Sequence, residues 1–123
     1  MTIFNMEIAT FQLLSDIKEL EKVVKEYPES WEIFPMAVFK TKRTPHVVDI
    51  NKEEVQSYWT VTIEIYEDSY TDLIGTIINQ VDQAFKNIGF VGTVTDANTA
   101  GLTRKICEYS AVIDNGTHFV YQK

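Results

Sequence analysis

Apolar residues recur at Ile8, Phe11, Leu14, Ile17, Leu20, Val24 and Tyr27, in steps of three and four. That spacing predicts one amphipathic helix over about 6–27, with Asp16, Lys18, Glu19, Lys22, Lys25 and Glu26 on its wet face. Pro28 ends it, because the residue before a proline is pushed out of helical geometry. An apolar, β-prone run from Ile33 to Phe39 follows, and Pro35 assigns it to a sheet edge or a strand start. From Val55 to Tyr66 the pattern changes to strict alternation. Val55, Ser57, Trp59, Val61, Ile63 and Ile65 face one way, and Gln56, Tyr58, Thr60, Thr62, Glu64 and Tyr66 the other. Period two with one apolar face predicts a half-buried antiparallel strand. The polar stretch between the two strands, Lys40 to Glu54, reads as a long connection containing Pro45 and charges of both signs.

The second helix is the most regular element in the pattern. Ser69-Tyr70-Thr71-Asp72 resembles a capping box. Tyr70, Leu73, Ile74, Ile77, Ile78, Val81, Ala84, Phe85 and Ile88 then build one stripe, and Gly89 stands where a left-handed C-terminal cap belongs. A short strand at 90–95, a turn-rich loop at 96–101 and a strand at 102–113 come next. Asp114-Asn115-Gly116 predicts a tight type I′ hairpin, with 118–121 returning along the preceding strand. Hairpins separated by helices predict an α+β sandwich: a mostly antiparallel sheet of about four to five strands with two helices packed on one face.

Composition adds bounds. The chain of 123 residues suits a single α+β domain over 1–123, with 45% hydrophobic and 24% charged residues. Eighteen acids against eleven bases give a formal charge of -7 and a pI near 4.7. That balance argues against nucleic-acid wrapping and against anionic membranes, where Lys and Arg supply the affinity. No apolar run reaches the roughly 20 residues a bilayer-spanning helix needs. The first residues, MTIFNMEIATFQLL, lack the basic start and the cleavage site of a signal peptide. A lone cysteine suits a reducing compartment.

Candidate chemistry is sparse. His46, His118 and Cys107 are too few and too scattered for a zinc site, which takes three or four protein ligands. Cys107 lies mid-strand with Tyr109, Ala111 and Ile113 on its face, which predicts a buried, inert thiol. The five glycines form no phosphate-cradling motif. Glu53-Glu54 and Glu67-Asp68 sit in or beside turns, where carboxylates are solvated. The expectation is a non-enzyme without cofactor or metal. What stands out is the run Lys40-Thr41-Lys42-Arg43, three bases in an acidic chain, with His46 just beyond it. Lys40, Lys42, Arg43 and His46 are therefore the candidate protein-interface residues, since a basic segment can dock on an acidic neighbour. Tyr58 and Tyr66, on the outward-reading side of their strand, are a weaker sign of the same kind.

The order of elements resembles that of tail-terminator (tail-completion, head–tail joining) proteins of long-tailed bacteriophages. The passages that carry the likeness are FPMAVFKTKRTP after the first helix, SYWTVTIEIYEDS, FKNIGFVGT and the closing LTRKICEYSAVIDNGTHFVYQK. The likeness spans nearly the whole chain but lies in element order and residue style, without an invariant motif. It implies a homo-oligomeric ring, commonly of six subunits, that caps the tail tube and joins it to the head. DNA would pass through the lumen without sequence-specific binding. The partners would be the tail tube and neck proteins, in a virion component assembled in the host cytoplasm. The family's inter-strand loop, which contacts neighbouring tail components, corresponds to 40–54 here. The residues by themselves also allow a small ligand-binding or regulatory α+β domain, monomeric or dimeric, because such sandwiches host many unrelated functions.

Overall fold

The computed structural model describes residues 2–25, 33–67, 72–97 and 103–122. The elements are α1 (Met6–Ser15), β1 (Lys22–Lys25), β2 (Met36–Val48), β3 (Glu54–Glu67), α2 (Asp72–Asn87), β4 (Val91–Asp96), β5 (Thr103–Asp114) and β6 (Val120–Tyr121). They form one six-stranded sheet in the order β1-β2-β3-β5-β4, with β6 also paired to β5. Every pairing is antiparallel except β1 with β2. The α+β class holds, and the sheet has one strand more than the pattern suggests.

That extra strand comes from the expected first helix, which is only half as long. Asn5 caps α1, its side chain accepting from the Ile8 N–H. After Ser15 the bonds Ile17 N–H to Leu14 O and Leu20 N–H to Ile17 O tighten the chain into turns. Glu21 N–H then donates to Pro35 O at 2.9 Å, and β1 pairs in parallel with 36–39. The β-branched pair Val23-Val24 suits that strand. The buried side of α1 is also displaced from the expected stripe. Met6, Thr10 and Leu14 are buried, whereas Ile8 and Phe11 are 56% and 47% exposed.

α2 follows the pattern. Ile74, Ile77, Ile78, Val81 and Phe85 are buried. Its end is a complete Schellman motif: Gly89 has φ 92°, Gly89 N–H donates to Lys86 O, and Phe90 N–H donates to Phe85 O. The accompanying hydrophobic contact is the edge-on pair Phe85–Phe90, with ring centroids 5.8 Å apart. The predicted capping residues 69–71 lie outside the described residues.

The alternation of β3 holds from Ser57 to Ile63 and ends there, since Glu64, Tyr66 and Glu67 are buried as well. Ser57, Trp59, Val61, Ile63 and Ile65 are buried. Cross-strand rows such as Phe39–Ile63–Cys107 and Thr41–Val61–Tyr109 run across the sheet. The main buried cluster joins Met6 and Leu14 of α1, Ile77, Val81 and Phe85 of α2, and Phe39, Ile63 and Tyr109 of the sheet. A smaller cluster, Met36, Val38 and Tyr66, occupies positions of the opposite parity. There the Glu64 carboxylate accepts from the Tyr66 hydroxyl and pairs with Arg104, both ends largely shielded from water.

The last hairpin differs from expectation. The residue with positive φ is His118, at 63°, rather than Asn115 or Gly116, so the turn is not type I′. His118 N–H closes a wider turn onto Asp114 O at 2.7 Å. The Asp114 carboxylate accepts from the N–H groups of Gly116 and Thr117, both at 2.9 Å. Asn115 is thereby released to point inward, where it is 3% exposed.

Candidate protein-interaction surface

The largest departure from the sequence reading concerns the candidate residues themselves. Residues 40–48 are not a loop but the outer two-thirds of β2, and the true connection to β3 is 49–53. Lys40 pairs with Thr62, Lys42 with Thr60, and Arg43 with Trp59. A polar edge strand carrying lysines and a proline is easily mistaken for loop, because those residues are the usual guards of sheet edges.

β1 covers β2 only over 36–39. Among the described residues no strand lies along the other side of 40–48, and that stretch is exposed from Lys42 onward. Side chains alternate along it. Lys40 and Lys42 share the side of Val38, while Arg43 shares the side of Phe39 and Trp59. Arg43 Nε lies 3.4 Å from Glu54 Oε2, an ion pair across the mouth of the hairpin. His46 is the extra residue of a bulge: Pro45 faces Ser57 and Val47 faces Gln56, so His46 has no opposite number. The four candidates thus occupy one edge strand but point in different directions.

The hairpin tip is built by Asp49, whose carboxylate accepts from Asn51 N–H at 2.9 Å and Glu53 N–H at 3.0 Å. Lys52 takes positive φ to complete the turn. At its crest Ile50 is 98% exposed, beside half-exposed Val47 and Val48. These apolar residues belong to the same surface, and the sequence reading passed over them because it placed 40–54 in one long polar connection.

Cys107, Tyr109 and Asp82 sit together in packed surroundings. Cys107 is buried, as expected, and burial pushes its thiol up to about 11. Burial likewise raises the Tyr109 hydroxyl, which donates to Asp82 at 3.0 Å while its ring stacks on Phe85 at 4.7 Å. Asp82 is held below its ordinary value first by Lys86, 2.7 Å away, and then by Tyr109. Among the described residues no three His, Cys, Asp or Glu side chains cluster to hold a metal, and no helix is long and apolar enough to cross a membrane. Tyr58 is half-buried and Tyr66 buried. Tyr66 belongs to the smaller cluster rather than to an exposed face.

A cavity of about 350 Å³ opens between α1 and the last hairpin, lined by Phe4, Leu13, Ile88, Phe90, His118 and Val120 among others. No protein-family model matches this chain, and no curated protein matches it in sequence.

Proposed function

We propose that this chain is a tail terminator of a long-tailed phage or prophage, with both helices on one face of its sheet. In this reading copies close into a ring on the tail tube and join it to the head. The observation that supports it best is the exposed, basic outer stretch of β2, ending in the apolar crest at Ile50, on a chain of net charge -7. A strand so guarded yet so apolar at its tip suits docking on protein. The acidic remainder suits a lumen through which DNA slides without sticking. The reading needs no catalytic group.

Light scattering of the purified chain over a dilution series, together with binding to isolated tail tubes, tests this. A ring-sized, concentration-dependent mass or saturable tube binding is expected. A monomer that binds no tubes overturns the proposal. The 350 Å³ cavity beside His118 supports the second reading, a small ligand-binding domain, which predicts a monomer or dimer stabilised by a small apolar molecule.

A further inference from the structure

Two edges of the sheet have no neighbouring strand among the described residues: β2 beyond Phe39, and β4 continued by β6. Both edges display apolar side chains to water. Val47 and Val48 are 41% and 52% exposed on one, Val91, Val94 and Tyr121 38–46% on the other. All six residues of β4 are exposed, and VGTVTD contains neither lysine nor proline to discourage pairing. An edge of that kind is a template for another strand.

We propose that the β4 edge of one copy pairs antiparallel with the 40–48 edge of a second copy, head to tail. Charge identifies the occupant. Lys40, Lys42 and Arg43 place +3 on β2 with no acid between 40 and 48, so the rest of the chain carries -7 − 3 = -10. The complement of this basic strand is therefore another copy of the same chain. Asp96, on the receiving edge, pairs with Lys105 at 2.7 Å, and exposed Glu108 lies beside that edge on β5.

Strand direction supports the geometry. β2, β3, β5 and β4 alternate in direction, so β4 runs opposite to β2. A second copy in the same orientation then continues the sheet as an antiparallel pair, helix-bearing side to helix-bearing side. β4 alone is offset: Val91 lies in the row of Lys42, and Asp96 in the row of Ala37, whereas the open stretch of β2 begins at Lys40. With β6 included, Tyr121 lies in the row of Thr44 and Val120 in that of Pro45, so the two edges share the rows from Lys40 to Pro45. Because the two surfaces differ, the contact is heterologous, and it builds a ring where its rotation closes rather than a symmetric dimer.

The inference rests on the ring reading above and names its contact. Thr44→Cys on β2 and Thr93→Cys on β4 place accessible thiols on the two edges, while native Cys107 is buried. A short thiol-to-thiol cross-linker is applied to each variant alone and to their mixture, with and without isolated tail tubes. Dimers in the mixture only, lost when Val94→Lys is added to the Thr93→Cys chain, are expected. Cross-linking within either variant alone, or none in a mixture whose circular dichroism is native, overturns the edge pairing. Tube binding without mixed cross-links sinks this contact but spares the terminator reading. Mixed cross-links without tube binding support this contact and count only against the tube as its partner.

Discussion

The side chain of Asn115 accepts a hydrogen bond from the backbone N–H of Phe4 at 3.0 Å, tying the segment before α1 to the hairpin after β5. The same amide donates to Glu54 O at 3.1 Å and to Ser57 Oγ at 3.0 Å, so one buried residue stitches three parts of the chain.

Asn115→Ala removes the partner of the Phe4 N–H and the Glu54 carbonyl in part-buried surroundings, while Ser57 keeps its bond to Glu54. The expected cost is about 1–3 kcal/mol, the range for an unsatisfied buried group. Asn115→Asp keeps the acceptor for Phe4 but turns an acceptor towards the Glu54 carbonyl, so it does not rescue. Urea denaturation of both variants measures this; a loss under about 0.5 kcal/mol in either would contradict the pinning role.

Two glycines in or beside α2 are expected to respond in opposite directions. Gly75 is an exposed helical position with open space where a Cβ would lie, so Gly75→Ala should stabilise by about 0.5–1 kcal/mol. At Gly89 the φ of 92° and Val120 Cγ1, 3.1 Å from where a Cβ would lie, make Gly89→Ala destabilising by about 1–2 kcal/mol. Thermal melts of the two variants give the signs directly.

Reversing charge on the edge strand should separate folding from docking. Lys42 and Arg43 are exposed, and the Arg43–Glu54 pair sits at the surface, where such pairs contribute about 0–1 kcal/mol. A Lys42→Glu, Arg43→Glu chain should melt within a few degrees of the parent yet lose binding to tail components. Undiminished binding would remove this strand from the docking surface.

Stability should fall on the alkaline side. The Cys107 thiol, ordinarily at 9.0, is pushed up to about 11 by burial, so its contribution is whole below pH 9 and vanishes as pH rises towards 11. The amount at stake is on the order of 2–3 kcal/mol, at about 1.4 kcal/mol for each unit of displacement. Tyr109 is displaced in the same direction, also chiefly by burial, and steepens the loss above its ordinary 10.0. Denaturation from pH 8 to 11 should show this decline, and Cys107→Ala should flatten its first part.

Elements whose side-chain period is set by burial on one side were legible in the sequence. α2 and β3 are of this kind, and so is the left-handed residue Gly89. What escaped depends on neighbours distant in sequence. Val24 fits a helical stripe as well as a strand, and only the parallel pairing with 36–39 decides between them. The stretch 40–48 looks like loop because an edge strand with water beside it needs no apolar rhythm. A strand as long as β3 wants neighbours of similar reach, and 40–48 supplies one. The basic candidates were visible as charge, but Val91, Val94 and Tyr121 gain their meaning only from the strand order.

The placement of β5 between β3 and both β4 and β6 also constrains how the molecule is made. A ribosome delivers β3, then α2 and β4, before the strand that bridges them. Until Thr103–Asp114 leaves the exit tunnel, β4 has no partner in its own chain and β3 lacks one flank. The sheet is therefore completed only after β5 has emerged, and the outer edge of β4 takes its place on that sheet no earlier than that.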